Sequence, residues 1–149
     1  MMDLVIVRFL QEWKNSPLMN KWIERASQEA LKAPGYGTVK IAAVLVHRNK
    51  LISIGYNSTK SHPLQKLYGR DGQIYLHAEI DAIRKALRRY DSLEGMQLYV
   101  SRWKWKDKDK TCLVKGMCKP CNGCQSAIED FGIEVIHYTK DIENETHTS

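Results

Sequence analysis

Two short apolar runs, Ile41-Ala42-Ala43-Val44-Leu45-Val46 and Leu51-Ile52-Ser53-Ile54-Gly55-Tyr56, flank the polar stretch His47 to Lys50, and they limit the choice of fold more than any other feature. Runs of this length on either side of a short turn read as a β-hairpin. Their near-continuous apolar character, in place of strict alternation, implies a sheet buried on both faces, so helices must cover each side. Asn20 to Lys32 supplies one helix, with Trp22, Ile23, Ala26, Ala30 and Leu31 near helical spacing, stopped by Pro34-Gly35 and Gly37. A second runs from about His77 to Tyr90, where Ala78, Ala82, Ile83, Ala86, Leu87 and Tyr90 stand opposite Lys85, Arg88 and Arg89. Gln97 to Ser101 reads as a third strand. Pro120 can open a third helix that ends near Asp130, with Gly132 just beyond, and Ile133 to Tyr138 is a fourth strand. Strands alternating with helices imply a layered α/β architecture.

Composition bounds the rest. A chain of 149 residues, 43% of them hydrophobic, buries one core but not comfortably two, so we expect a single domain over 1–149, with its core at about 20–138 and a polar tail at 140–149. No apolar run approaches the roughly 18–20 residues that span a bilayer. Met1 to Leu10 is apolar but lacks a basic leader and a small-residue cleavage site, so the expectation is a cytoplasmic protein without a membrane span. The formal charge of +6 suggests an anionic partner, a nucleotide phosphate or a nucleic acid, although a basic soluble surface explains it equally well.

Cys112, Cys118, Cys121 and Cys124 crowd together in a way that favours metal binding over disulfides in an intracellular chain. A catalytic zinc needs three protein ligands and one open position, and His77 with Cys121 and Cys124 meets that need with a nearly neutral donor set. Cys121 and Cys124 stand three apart, on one face of a helix whose N-terminal dipole favours thiolates. Glu79 lies two residues from His77, and side chains so spaced diverge on a regular helix. They converge only at its opening turn. The expected pocket therefore lies over the N-terminal ends of two helices, one bearing His77 and Glu79, the other Cys121 and Cys124. There a carboxylate can take a proton from an activated water and pass it on.

His77-Ala78-Glu79 followed by Pro120-Cys121-Asn122-Gly123-Cys124 resembles the His-x-Glu and Pro-Cys-x-x-Cys mark of the zinc deaminases. Over about Ile41 to Tyr138 the chain is similar to the cytidine and deoxycytidylate deaminase superfamily, and His77 to Ile83 looks most like its deoxycytidylate branch. The resemblance implies a three-layer α/β/α cytidine deaminase-like fold with a central mixed sheet of four to five strands. It also implies one catalytic zinc ion per chain on His77, Cys121 and Cys124, a proton shuttle at Glu79, and a sugar contact from Asn57. The implied reaction is hydrolytic removal of ammonia from a cytosine nucleotide, deoxycytidylate first. Association into a homo-oligomer is expected by the same analogy. The departures are Asp81, where that branch carries Asn, and an insertion from Arg102 to Lys119. A further strand with its helix is expected to be missing, which exposes a sheet edge for a partner subunit or the N-terminal segment to cover.

Several features stay open. Asn57 to Gln73 reads as a long functional loop whose Lys60, Lys66 and Arg70 can hold a phosphate. Trp103-Lys104-Trp105-Lys106, with Lys108 and Lys110, interleaves aromatic and basic side chains as single-strand nucleic-acid surfaces do, but an ordinary hairpin or loop is the favoured reading. A closed four-thiolate zinc site on Cys112, Cys118, Cys121 and Cys124 is a minor alternative. Two other functional readings remain beside the nucleotide deaminase. One is a deaminase of tRNA adenosine or single-stranded cytosine; the other is a non-catalytic zinc module that binds a nucleotide or a protein.

Overall fold

The computed structural model describes residues 17–35, 39–69, 75–105, 113–116 and 118–139. Met1 to Leu10, Arg70, Cys112, Lys106, Lys108, Lys110 and the tail from Lys140 lie outside the described residues. In chain order the elements are α1 (Pro17–Ala30), β1 (Lys40–His47), β2 (Lys50–Tyr56), α2 (Pro63–Tyr68), α3 (Ala78–Ala86), β3 (Gln97–Trp105), β4 (Leu113–Gly116), α4 (Asn122–Asp130) and β5 (Val135–Tyr138).

The hairpin forms as the sequence requires. β1 and β2 pair antiparallel, with Ala42 opposite Tyr56 and a register shift between Leu45 and Val46. Arg48 and Asn49 both hold positive φ, 51° and 61°, the backbone of a two-residue turn whose twist suits a hairpin. β1 also pairs antiparallel with β3 along its length, so it is a central strand.

Alternation along β1 divides the core between two layers. Val44 and Val46 pack with Tyr99 against Trp22, Ile23 and Ala26 of α1. Ala43 and Leu45 point the other way, with Leu98 and Val100, onto Ile80, Ile83, Ala127 and Ile128 of α3 and α4. Val44 and Leu45 are both fully buried, and such burial stabilises by about 1.5–3 kcal/mol per side chain. The result is the expected three-layer α/β/α arrangement around a mixed sheet. Among the described residues no helix is long and apolar enough to cross a membrane.

The far side of β3 carries two partners end to end. β5 runs parallel to Gln97 through Val100, and β4 runs antiparallel to Arg102 through Trp105. Thr139 stitches the junction: its Oγ1 accepts from the Arg102 N–H at 3.2 Å and donates to the Gly116 carbonyl at 2.7 Å. The basic insertion is thus partly strand, and among the described residues the sheet has five strands.

Several elements differ from the sequence reading, among them β3, which runs on to Trp105 past Ser101, and α1, which spans Pro17–Ala30 in place of Asn20 to Lys32. The long loop contains the short helix α2, opened by His62, whose Nδ1 accepts from the Leu64 N–H at 3.1 Å, with Pro63 in its first turn. Six residues are too few to show a helical period. α3 ends at Ala86 in a turn, not at Tyr90. α4 begins after Cys121, so Pro120 precedes the cap residue and is not the first helical one.

α3 lies directly on β2. A Cβ on Gly55 would stand 2.1 Å from the Ala78 carbonyl oxygen and 2.2 Å from the Ala82 nitrogen, inside any allowed contact. Beside this contact the buried Asp81 carboxylate accepts from the Tyr56 N–H at 2.9 Å and pairs with Arg84 at 2.6 Å and Lys85 at 3.0 Å. Lys85 also donates to the Ile54 carbonyl at 2.9 Å. Because the neighbours of Gly55 are backbone, they cannot turn aside. Gly55→Ala is expected to cost about 3 kcal/mol, read as a lower urea midpoint for the variant.

Candidate metal centre

His77 is the N-cap of α3, with φ −83° and ψ 151°, and its side chain makes no capping bond. The ring is therefore available to turn toward α4. Cys121 is the N-cap of α4, and its Sγ accepts from the Cys124 N–H at 3.4 Å. His77 Nδ1 lies 3.2 Å from Cys124 Sγ and 3.6 Å from Cys121 Sγ. The three donor atoms all fall within 4.8 Å of one another. These separations suit the corners of a tetrahedron built from zinc bonds of about 2.0–2.3 Å, and the donors are the imidazole and thiolates that zinc favours. Both opening turns meet here, as the His-x-Glu spacing demanded.

Glu79 sits in the first turn of α3, only 5% exposed. Burial raises its carboxyl above the usual carboxylate range, opposed by the nearby His77. His77 is raised chiefly by its hydrogen bond with Cys121, against the effect of burial. The two thiols share one proton unequally. Cys121 is pulled far down, first by its hydrogen bond with Cys124 and then by His77 and the Cys124 N–H, whereas the same bond and burial push Cys124 well up. A bound cation replaces these protons, so its affinity rises with pH.

The other sequence candidates fall out differently. The cluster on the described residues brings His77, not Cys118, to the two thiols. Cys118 is buried nearby, its thiol raised by desolvation and by Glu79, and its N–H bonds to the Thr139 carbonyl at 3.0 Å. This geometry departs from a four-thiolate site; Cys112 is outside the described residues. Asn57 is buried, its Oδ1 accepting from the Ile41 N–H at 2.9 Å and its Nδ2 donating to the Val39 carbonyl at 3.0 Å. That clasp leaves its side chain one N–H and one lone pair for any further contact. Lys66 is exposed in the last turn of α2, and Arg70 lies outside the described residues.

Trp103 is half-buried, and its indole N–H donates to the Ser27 carbonyl of α1 at 2.7 Å. A groove lined by His62, Leu64, Arg84, Leu87 and Arg88 includes none of the four central side chains. Sequence reasoning missed Gln65, whose Oε1 accepts from the His77 N–H at 3.0 Å. It also missed why Gly123 stands between the cysteines: a Cβ there would lie 2.2 Å from the Tyr68 carbonyl oxygen.

A sheet layered between helices, with His-x-Glu and Cys-x-x-Cys converging at two helix openings, defines a zinc-deaminase type of domain. The chain belongs to the family described as the cytidine and deoxycytidylate deaminase zinc-binding region, whose model matches residues 17–140. Among solved structures, it is similar to dCMP deaminase from the cyanophage S-TIM5 in apo form, with TM-score 0.60 and 18% identity over 89% of this chain and 90% of that one. The same enzyme in complex with dCMP and dUMP matches at TM-score 0.60 and 19% identity, over 86% and 85% of the two chains. Guanine deaminase from Bacillus subtilis matches at TM-score 0.53 and 22% identity, over 87% and 69%. At these identities the likeness is one of fold. No curated protein sequence matches the chain.

The unequal thiols are directly testable. Alkylation tracks the thiolate, and at pH 6 an ordinary cysteine is almost wholly protonated. In metal-free protein at that pH, iodoacetamide is expected to label Cys121 ahead of Cys118 and Cys124, as read by peptide mass spectrometry. Prior addition of zinc should suppress the labelling.

Proposed function

We propose that the chain is a zinc-dependent hydrolytic deaminase of a cytosine nucleotide, converting deoxycytidylate to deoxyuridylate and ammonia. The observation that carries this reading is the convergence of His77, Cys121 and Cys124 beside the buried Glu79, at the openings of α3 and α4. In this reading His77, Cys121 and Cys124 hold the zinc. The bound ion supplies an activated water for attack on the ring carbon that bears the amino group. Glu79 would carry the two protons of that water in turn, the first to the ring nitrogen and the second, from the new hydroxyl, to the amine that leaves as ammonia. A carboxyl raised by burial suits a group that must both accept and return a proton.

The choice of substrate draws on other support. The family covers cytidine and deoxycytidylate deaminases, and the cyanophage enzyme of like fold was solved with dCMP and dUMP. The charge of +6 is compatible with a phosphorylated substrate, with Lys66 and Arg70 as candidate phosphate contacts and Asn57 as a candidate sugar contact through its remaining N–H. The tRNA or single-strand reading would use the ring face of Trp103, whose N–H edge is bonded to α1.

Ammonia release from deoxycytidylate, with deoxycytidine and its triphosphate alongside, tests the proposal. Glu79→Gln is expected to lower kcat by about 10²–10⁴-fold while zinc content stays at one ion per chain. Wild-type zinc protein silent on all three substrates would overturn it. The chain is further proposed to form a homo-oligomer, since no strand pairs with the outer edge of β5 among the described residues. A monomeric mass in light scattering would overturn that part.

A further inference from the structure

The segment after β2 holds a buried polar side chain that the chemistry above does not use. Gln65, on α2, is 1% exposed, and its Oε1 accepts from the His77 N–H at 3.0 Å. As the cap residue of α3, His77 has an extended backbone, and its N–H lies outside the helical ladder. The Leu76 N–H bonds to the Lys60 carbonyl at 2.9 Å, and the peptide that follows, joining Leu76 to His77, is held on both sides: its carbonyl accepts from the Ser58 N–H at 3.1 Å and its N–H donates to Gln65. Gln65 thus clamps one side of the peptide that leads directly into His77.

α2 is in turn seated on the cysteine helix. Its last carbonyl, that of Tyr68, occupies the space a side chain at position 123 would fill. The Tyr68 hydroxyl donates to Asp130 Oδ2 at the other end of α4, at 2.8 Å. One short helix therefore touches both the entry to α3 and the first turn of α4. Between them, these two elements carry all three donors.

We propose that Gln65 is a positioning residue of the metal centre: seated with α2 against Gly123, it holds the His77 backbone in register with Cys121 and Cys124. The inference rests on the zinc-deaminase reading and adds a residue to its site. It acts through a backbone N–H and touches neither metal nor substrate.

The test compares Gln65→Leu, which keeps the volume and loses the acceptor, with Gln65→Glu, which keeps an acceptor oxygen at the same reach. Leu67→Ala is the control, because Leu67 is 74% exposed on the same helix. Each protein is loaded with cobalt(II) for its ligand-field spectrum, titrated with a chelator in its zinc form, and melted in its metal-free form. Gln65→Leu is expected to hold zinc about tenfold or more weakly and to shift the cobalt band. Its kcat should fall more than its KM rises. Gln65→Glu should recover most of the zinc affinity, and Leu67→Ala should match wild type.

Wild-type zinc affinity and spectrum in Gln65→Leu would overturn the inference. Equal loss in both Gln65 variants, matched by equally lowered melting temperatures, would do the same, since it marks a purely structural role. Wild-type protein that takes up no cobalt removes the inference together with the reading beneath it. Metal bound by wild type without any deamination removes the substrate reading alone, because the spectrum and the chelator titration still judge Gln65.

Discussion

Helix α3 rests on the bare backbone of β2 at Gly55, with the Ala78 carbonyl and the Ala82 nitrogen where a side chain would otherwise be. Contact this close fixes the height of the helix over the sheet, and the Asp81 carboxylate fixes its rotation by gripping the Tyr56 N–H beside the same glycine. His77 and Glu79 lie at the end of the helix thus fixed, so their placement depends on a glycine contact and on the Asp81 carboxylate beside it. Any slack at Gly55 would be passed along the helix to the imidazole. The buried charge of Asp81 is tolerable because Arg84 and Lys85, one turn on, neutralise it, and both keep part of their side chains in water.

The centre itself joins two helix openings, and helix openings suit thiolates. Exposed N–H groups and the positive end of the dipole favour negative charge there. Cys121 benefits directly, taking the Cys124 N–H onto its sulfur. Glu79, in the first turn of α3, is deeply buried, and desolvation raises it. The two acidic groups are thus driven in opposite directions, Cys121 by its hydrogen bonds with Cys124 and His77 and Glu79 by the loss of water. One is suited to holding a cation and the other to handling a proton.

Much of this was legible in the chain. The hairpin was visible because Ile41 to Val46 is apolar at every position, and the two-layer core follows from that. The three donors were visible because Cys-x-x-Cys and His-x-Glu are local spacings with a chemical meaning. α2 was hidden by its length, which is under two turns, and by the polar residues around it. β4 was also missed, although Trp103-Lys104-Trp105 alternates as a strand does; its partner lies across residues that read only as a basic insertion. Gln65 left no sequence signal, because its role is a hydrogen bond to main chain, and any acceptor of that reach would look the same. Asn57 shows the converse. Its place after β2 suggests a ligand contact, yet much of its amide is used in clasping Val39 and Ile41.

His77 and Cys121 are separated by 44 residues of chain that include α3 and all of β3. An ion shared between them is a cross-link, and an unfolded chain would have to close that whole loop to make it. Metal binding and folding are therefore one equilibrium written two ways. Each tenfold excess of free ion above its dissociation constant deepens the native well by about 1.4 kcal/mol, a large part of the margin on which a domain of this size stands. In a cell short of the ion, the amount of this protein would fall before its catalytic constants changed.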